Sequence, residues 1–187
     1  MRQTLISQLT NYKPYNEQEE RDRETILQLL KTQEDIFLRE NLVAHMTASA
    51  WVQDFEHQHI LMAYHNLYQS WAWLGGHADG NEDLLQVALK EVREESGIRN
   101  VRPVTDQIFS VEVLTVDGHE KKGVYVPSHL HLNVTYLLEA DRAETVRVKA
   151  DENSAVGWFT PQEAVEKSCE SWFQTRIYSK LNAKVGQ

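Results

Sequence analysis

Residues 76–98 read GHADGNEDLLQVALKEVREESGI, and the rest of the chain is best read outward from them. Glu91, Glu94 and Glu95 fall within one short span, Gly97 follows at once, and Glu82 comes after a glycine-rich approach. Leu85, Ala88, Leu89 and Val92 recur at helical spacing, which predicts a helix over 82–96 with an apolar stripe for a sheet. Gly97 suits the residue that ends such a helix. Positions three and four apart share a helix side, so the glutamates repel one another there. That cost points to a compensating cation, and clustered hard oxygens suit Mg²⁺ or Mn²⁺. The residues 75–80 form a predicted loop leading to the helix N-terminus, where free N–H groups favour anions such as phosphate. A Glu-x-x-Glu-Glu triplet alone is most often a solvated acidic face, and it is the spacing of the whole element that favours the metal.

Around this element the pattern is α/β. The first forty residues read as helical, with Asn16 and Glu19 placed as a capping box and Ile26, Leu29, Leu30, Ile36 and Phe37 as the apolar side. Residues 1–42 are expected to be an N-terminal helical extension, and residues 43–187 the main domain. Strands are expected at 44–52, 59–64, 70–74, 107–116, 129–138, 145–148 and 156–159. Thr160-Pro161 opens a further helix, and a terminal helix is expected at 170–182. Residues 117–128 are polar and carry the turn signal Asp117-Gly118. Strands on both sides of one motif helix suggest a layered α/β domain.

Composition narrows the function. A net charge of −9 argues against nucleic-acid binding driven by bulk charge. It leaves nucleotides open as substrates, because a bound metal reverses the local sign. Cys169 is the only cysteine, which removes internal disulfides and cysteine-based zinc sites and fits a reducing, cytoplasmic compartment. The first residues lack the apolar run of a secretory signal or membrane anchor, and no later stretch reaches the length of a membrane span.

The quoted stretch closely resembles the Nudix box, G-x5-E-x7-R-E-U-x-E-E-x-G-U, with U a bulky aliphatic residue. Gly76, Glu82, Glu91, Val92, Glu94, Glu95, Gly97 and Ile98 fall in register, and Lys90 stands where the family has arginine. The resemblance extends to Trp73-Leu74-Gly75-Gly76 and to Glu152 ahead of Trp158-Phe159, and covers about residues 43–180. It implies a Nudix-type α/β/α sandwich with a mixed sheet. It also implies a metal-dependent pyrophosphatase acting on a nucleoside diphosphate linked to another moiety, or on a related small molecule. Carried over by position, Glu91 and Glu95 would ligate Mg²⁺ or Mn²⁺, Glu94 would be a ligand or the base, and the carbonyl of Gly76 would complete the site. Lysine lacks the planar fork of arginine, yet Lys90 can still neutralise part of the glutamate cluster.

Further candidates stand outside the box. Glu152, in a polar loop, is either a solvated acid or a further metal ligand or general base reaching in from the side opposite the helix; the two readings are level. His77, after the double glycine, is expected to contact substrate, as is Lys90. His129 and His131 alternate with Leu130 and Leu132 and so share a strand face with Asn133. Two histidines at this spacing can bind zinc, but the sequence shows no evident third ligand, His119 being the one candidate, and a polar face lining a substrate cleft is the preferred reading. Trp71 and Trp73 read as core or interface residues, and Cys169 as structural. Two other functions compete: a Nudix-like sensor without hydrolysis, which predicts eroded glutamates, and an isoprenyl diphosphate isomerase-like enzyme, which expects a cysteine before the helix. The expected partner is a small-molecule pyrophosphate, with no nucleic acid and no membrane, and the extension is compatible with a homodimer.

Overall fold

Asn16 begins the first long helix as its spacing predicts. The Asn16 side chain accepts the Glu19 N–H at 3.0 Å and caps α2 (Glu17–Thr32). The carboxylate of Glu19 accepts the Tyr15 N–H at 2.8 Å, one residue earlier than in a capping box. A shorter helix, α1 (Arg2–Asn11), precedes it. Leu5 and Leu9 of α1 and Ile26 and Leu30 of α2 are buried. The computed structural model describes residues 1–121 and 123–186.

Among the described residues ten strands follow: β1 (Ala44–Asp54), β2 (Ile60–His65), β3 (Ser70–Ala72), β4 (Leu74–His77), β5 (Val101–Pro103), β6 (Ser110–Val116), β7 (His119–Lys121), β8 (Val124–Val126), β9 (His129–Ala140) and β10 (Asn153–Phe159). Helix α3 (Leu84–Ser96) lies between β4 and β5. After β10 come α4 (Pro161–Lys167), a π-helical segment (Phe173–Tyr178) and α5 (Ser179–Val185). Eight strands form one mixed sheet with the path β10-β2-β1-β9-β5, while β3 joins β2, β4 joins β1 and β6 joins β9. The remaining two, β7 and β8, make a separate hairpin.

The chain divides into two compact units, each made of three segments. The first comprises residues 1–49, 76–87 and 107–136, and the second residues 50–75, 88–106 and 137–187. In the first unit α2 packs on β6, and β6 pairs with β9 from Ser110↔Thr135 to Val116↔His129. In the second unit β10 pairs with β2 through a bulge between Asn153 and Ala155, α4 packs on β10, β2 and β3, and Trp51 stacks on Tyr178 with ring centroids 5.3 Å apart.

Several expectations change. The first half of the glycine-rich stretch, residues 75–77, is strand, because β4 pairs with β1; beyond it the Ala78 N–H reaches the Met46 carbonyl at 3.0 Å. The helix starts at Leu84, with the Asp83 side chain accepting the Gln86 N–H at 3.1 Å. Leu84 and Val87 are therefore buried with Ala88, Leu89 and Val92, and Leu85 is only half-buried. Glu82 lies outside the helix and accepts the Arg2 N–H at 2.7 Å. Residues 145–148 form no strand, because the Arg147 N–H is taken by the Ser96 carbonyl at 2.7 Å. The polar 117–128 segment contains the β7–β8 hairpin, and Val101–Pro103 is a strand too short to show a period. The terminal helix widens to a π segment at Phe173–Tyr178. Trp73 meets Phe173 and Tyr178 edge-on, and Trp71 meets Phe159, so both serve packing. Cys169 is exposed.

Candidate active site

The C-terminal half of α3 and the residues 149–153 build one site within the second unit. Gly97 ends the helix at φ +76°, in the left-handed region, and its N–H bonds the Arg93 carbonyl at 3.0 Å. The last turn is then tied sideways: the Asn153 side-chain amide donates to the Glu95 carbonyl at 3.0 Å. The same Asn153 accepts the Lys149 N–H at 3.1 Å, the Glu152 N–H donates to the Lys149 carbonyl at 2.8 Å, and the Glu152 carbonyl accepts the Asn66 N–H at 2.9 Å. A polar loop is thereby fixed against a helix end, and Glu152 is placed by its backbone.

The result is a group of three carboxylates. Glu91, Glu95 and Glu152 each offer an oxygen within 4.8 Å of the others. Glu91 and Glu95 are buried, at 8% and 7% exposure. Glu95 has its pKa raised well above the ordinary value, first by burial and then by the charges of Glu91 and Glu152; Lys149 and the Gly75 N–H oppose the rise. Glu94 lies outside the group, on the exposed side, with Lys90 Nζ at 3.2 Å and Lys149 Nζ at 3.5 Å. Lys90 also reaches Glu91 at 3.1 Å, and Lys149 reaches Glu152 at 2.9 Å. Burial would lower both ammonium pKa values, but these ion pairs outweigh it and raise them. Three converging carboxylates, two of them buried, form the hard-oxygen donor set that Mg²⁺ or Mn²⁺ takes, so the residues present fit such an ion.

The remaining expected site residues lie in the first unit. Gly76 and His77 are in β4. His77 and His131 come together with His45, and one ring nitrogen of each lies within 4.8 Å of the others. Ring centroids are 5.1 Å apart for His45–His77, 5.1 Å for His45–His131 and 4.9 Å for His77–His131. His129 adjoins the group, with its Nε2 3.2 Å from that of His131. Burial above all, with the Arg39 charge and neighbouring histidines, lowers the His77 pKa to about 3. Burial with the surrounding histidines lowers that of His131 to about 2. Burial also lowers that of His45. His119 is outside the cluster, its ring 6.4 Å from that of His129. Asn133 is only 1% exposed and is occupied by Thr47, Ser49, Glu112 and Thr135 at 3.0–3.1 Å, so it belongs to a buried polar network.

Two participants escaped sequence reading. Lys149 carries a weak signal, three residues before Glu152 in the same polar loop. His45 carries none; it is a single histidine at the start of a strand.

The NUDIX domain model matches residues 43–181. With the carboxylate helix and the mixed α/β fold, that match defines the class: the chain belongs to the Nudix hydrolase family. No curated protein matches by sequence. Among solved structures, the chain is similar to a binary complex of the C. elegans Ap4A hydrolase at 19% identity, over 75% of this chain and 97% of that one, with a TM-score of 0.53. It is similar to the MutT protein of Methanosarcina mazei Go1 at 14% identity, over 78% and 97%, with a TM-score of 0.53. It is also similar to RenU, a Nudix hydrolase of M. smegmatis, at 13% identity, over 76% and 86%, with a TM-score of 0.54. At these identities the likeness is one of fold. Among the described residues, no helix is long and apolar enough to cross a membrane.

Proposed function

We propose that this protein hydrolyses a pyrophosphate bond in a nucleoside diphosphate linked to another moiety, or in a related small molecule, using Mg²⁺ or Mn²⁺. The observation that carries the reading is the convergence of Glu91, Glu95 and Glu152 to within 4.8 Å. A divalent ion held by these three would neutralise phosphate oxygens and make a bound water easier to deprotonate. Glu152 is committed to that group, so Glu94 is the carboxylate left to take a proton from the attacking water. Lys90 and Lys149 hold Glu94 between them. They also set two positive charges beside it, suited to the phosphate that leaves. The lone, exposed Cys169 fits a reducing, cytoplasmic setting.

The test is a panel of pyrophosphate compounds with Mg²⁺, with products identified by mass and chelator as control. Glu94→Gln is expected to lose about 10²–10⁴-fold in turnover with Mg²⁺ affinity kept, as for a lost general base. Glu152→Gln is expected to weaken Mg²⁺ affinity itself. If Glu94→Gln stays within a few-fold of the parent, the base role passes to Glu152. Absence of turnover across the panel at full metal occupancy overturns the hydrolase reading.

A further inference from the structure

We propose that His45, His77 and His131 form a second metal site, an all-imidazole site for a zinc-class transition ion, chemically distinct from the carboxylate group. The three come from β1, β4 and β9, all within the first unit, and one ring nitrogen of each lies within 4.8 Å of the others. A tetrahedral zinc ion with Zn–N bonds near 2.05 Å sets its ligand nitrogens about 3.3 Å apart, so modest rotamer adjustment closes the site. Imidazole nitrogen suits Zn²⁺, Co²⁺, Ni²⁺ and Cu²⁺, whereas Mg²⁺ prefers oxygen.

The hydrogen bonding of the rings points to a missing partner. His45 Nδ1 lies 2.9 Å from the Asn41 carbonyl, which can only accept, so Nδ1 carries the proton and Nε2 is left with a bare lone pair. That Nε2 is buried in a residue only 3% exposed and has no hydrogen-bond partner. A buried polar atom left unpaired costs free energy, and such atoms are rare. His129 extends the pattern. Its Nδ1 lies 2.8 Å from the Pro127 carbonyl and donates to it, and its Nε2 lies 3.2 Å from that of His131. One ring nitrogen donating to a carbonyl or to another acceptor while the other faces the metal is the usual arrangement of metal-bound histidines. His129 is therefore a positioning residue here. Arg39, whose charge acts on all three rings, is held by Asp79 with Nε at 2.6 Å from Oδ1, which offsets its repulsion of an incoming ion.

The test uses the full chain, stripped with chelator and then titrated with Co²⁺ and with Zn²⁺ under excess Mg²⁺, which saturates oxygen sites. One equivalent of Co²⁺ is expected to bind with visible ligand-field absorption, and Zn²⁺ is expected to raise the melting temperature. His131→Asn should weaken Zn²⁺ binding at least 10-fold and abolish the melting shift, whereas Glu91→Gln should change neither. Because His45 is fully buried, the half-buried His77→Asn supplies the second reading if His45→Asn fails to fold. Absence of Co²⁺ absorption, or parent-like Zn²⁺ affinity in His77→Asn and His131→Asn, overturns the site. So does loss of Zn²⁺ binding in Glu91→Gln, which would assign that ion to the carboxylates. None of these readouts depends on turnover, so the two sites stand or fall separately.

Discussion

Glu95 shows how a single residue is set against its own charge. It is 7% exposed and adjoins Glu91 and Glu152, and its folded-state pKa lies above the ordinary value. The folded protein thus holds that proton more tightly than the unfolded chain. The associated stability is present at acid pH and lost as pH rises through the glutamate range toward the folded value. In chelator at neutral pH, Glu95→Gln should therefore raise the melting temperature by about 2–4 °C, while removing most turnover and Mg²⁺ affinity. A lowered melting temperature would show that the carboxylate is stabilised in the metal-free fold. Lys90 gives the complementary case. It bridges Glu91 and Glu94 as a single ammonium, and arginine can hold the same two carboxylates with a planar fork. Lys90→Arg should keep or raise kcat in the Mg²⁺ assay, and a drop beyond 10-fold would give Lys90 its own contact with substrate.

At the scale of elements, short segments fixed by backbone hydrogen bonds place the chemistry. The residues 149–153 seat Glu152 through Asn153 and Asn66. The β1–β2 turn works the same way around Asp54, which is fully buried. Burial would raise its pKa, yet the N–H groups of Gln58 and His59, at 2.7 and 3.0 Å, and the His59 ring at 2.8 Å lower it overall. The stability this gives is present above the ordinary aspartate pKa of about 3.9 and fades as pH falls through the lower folded value. Asp54→Ala, measured by urea unfolding, should cost about 1–3 kcal/mol at pH 7. The deficit against the parent should narrow below about pH 3.9. A deficit independent of pH would assign the whole effect to packing. Elements with a clear period were legible in sequence: α2, β1, β9 and α3 lie close to their expected positions. The β7–β8 hairpin and Val101–Pro103 were not, because strands of three residues are too short to show alternation. Residues 145–148 carry strand-forming types but find no ladder, since Arg147 bonds the end of α3.

At the scale of the whole molecule, the N-terminal helices share a compact unit with the segments 76–87 and 107–136. Leu5, Leu9, Ile26, Leu30, Ile36 and Phe37 are buried, and each fully buried side chain of this size is worth about 1.5–3 kcal/mol. A chain begun at residue 43, where the NUDIX match starts, should therefore melt far below the parent or fail to fold by circular dichroism. A parent-like melt would mark residues 1–42 as an appendage. The sequence by itself determined the family and the carboxylate helix, because these depend on residues spaced within one turn or one motif. Only the tertiary structure decided that Glu152 rather than Glu94 joins Glu91 and Glu95. It alone brought His45, unremarkable in sequence, beside His77 and His131. Such groupings depend on strand register and loop anchoring across distant segments, to which local periodicity is blind. The glutamates of residues 76–98 could be read along one helix; their partner and the histidine cluster exist only once the chain has folded.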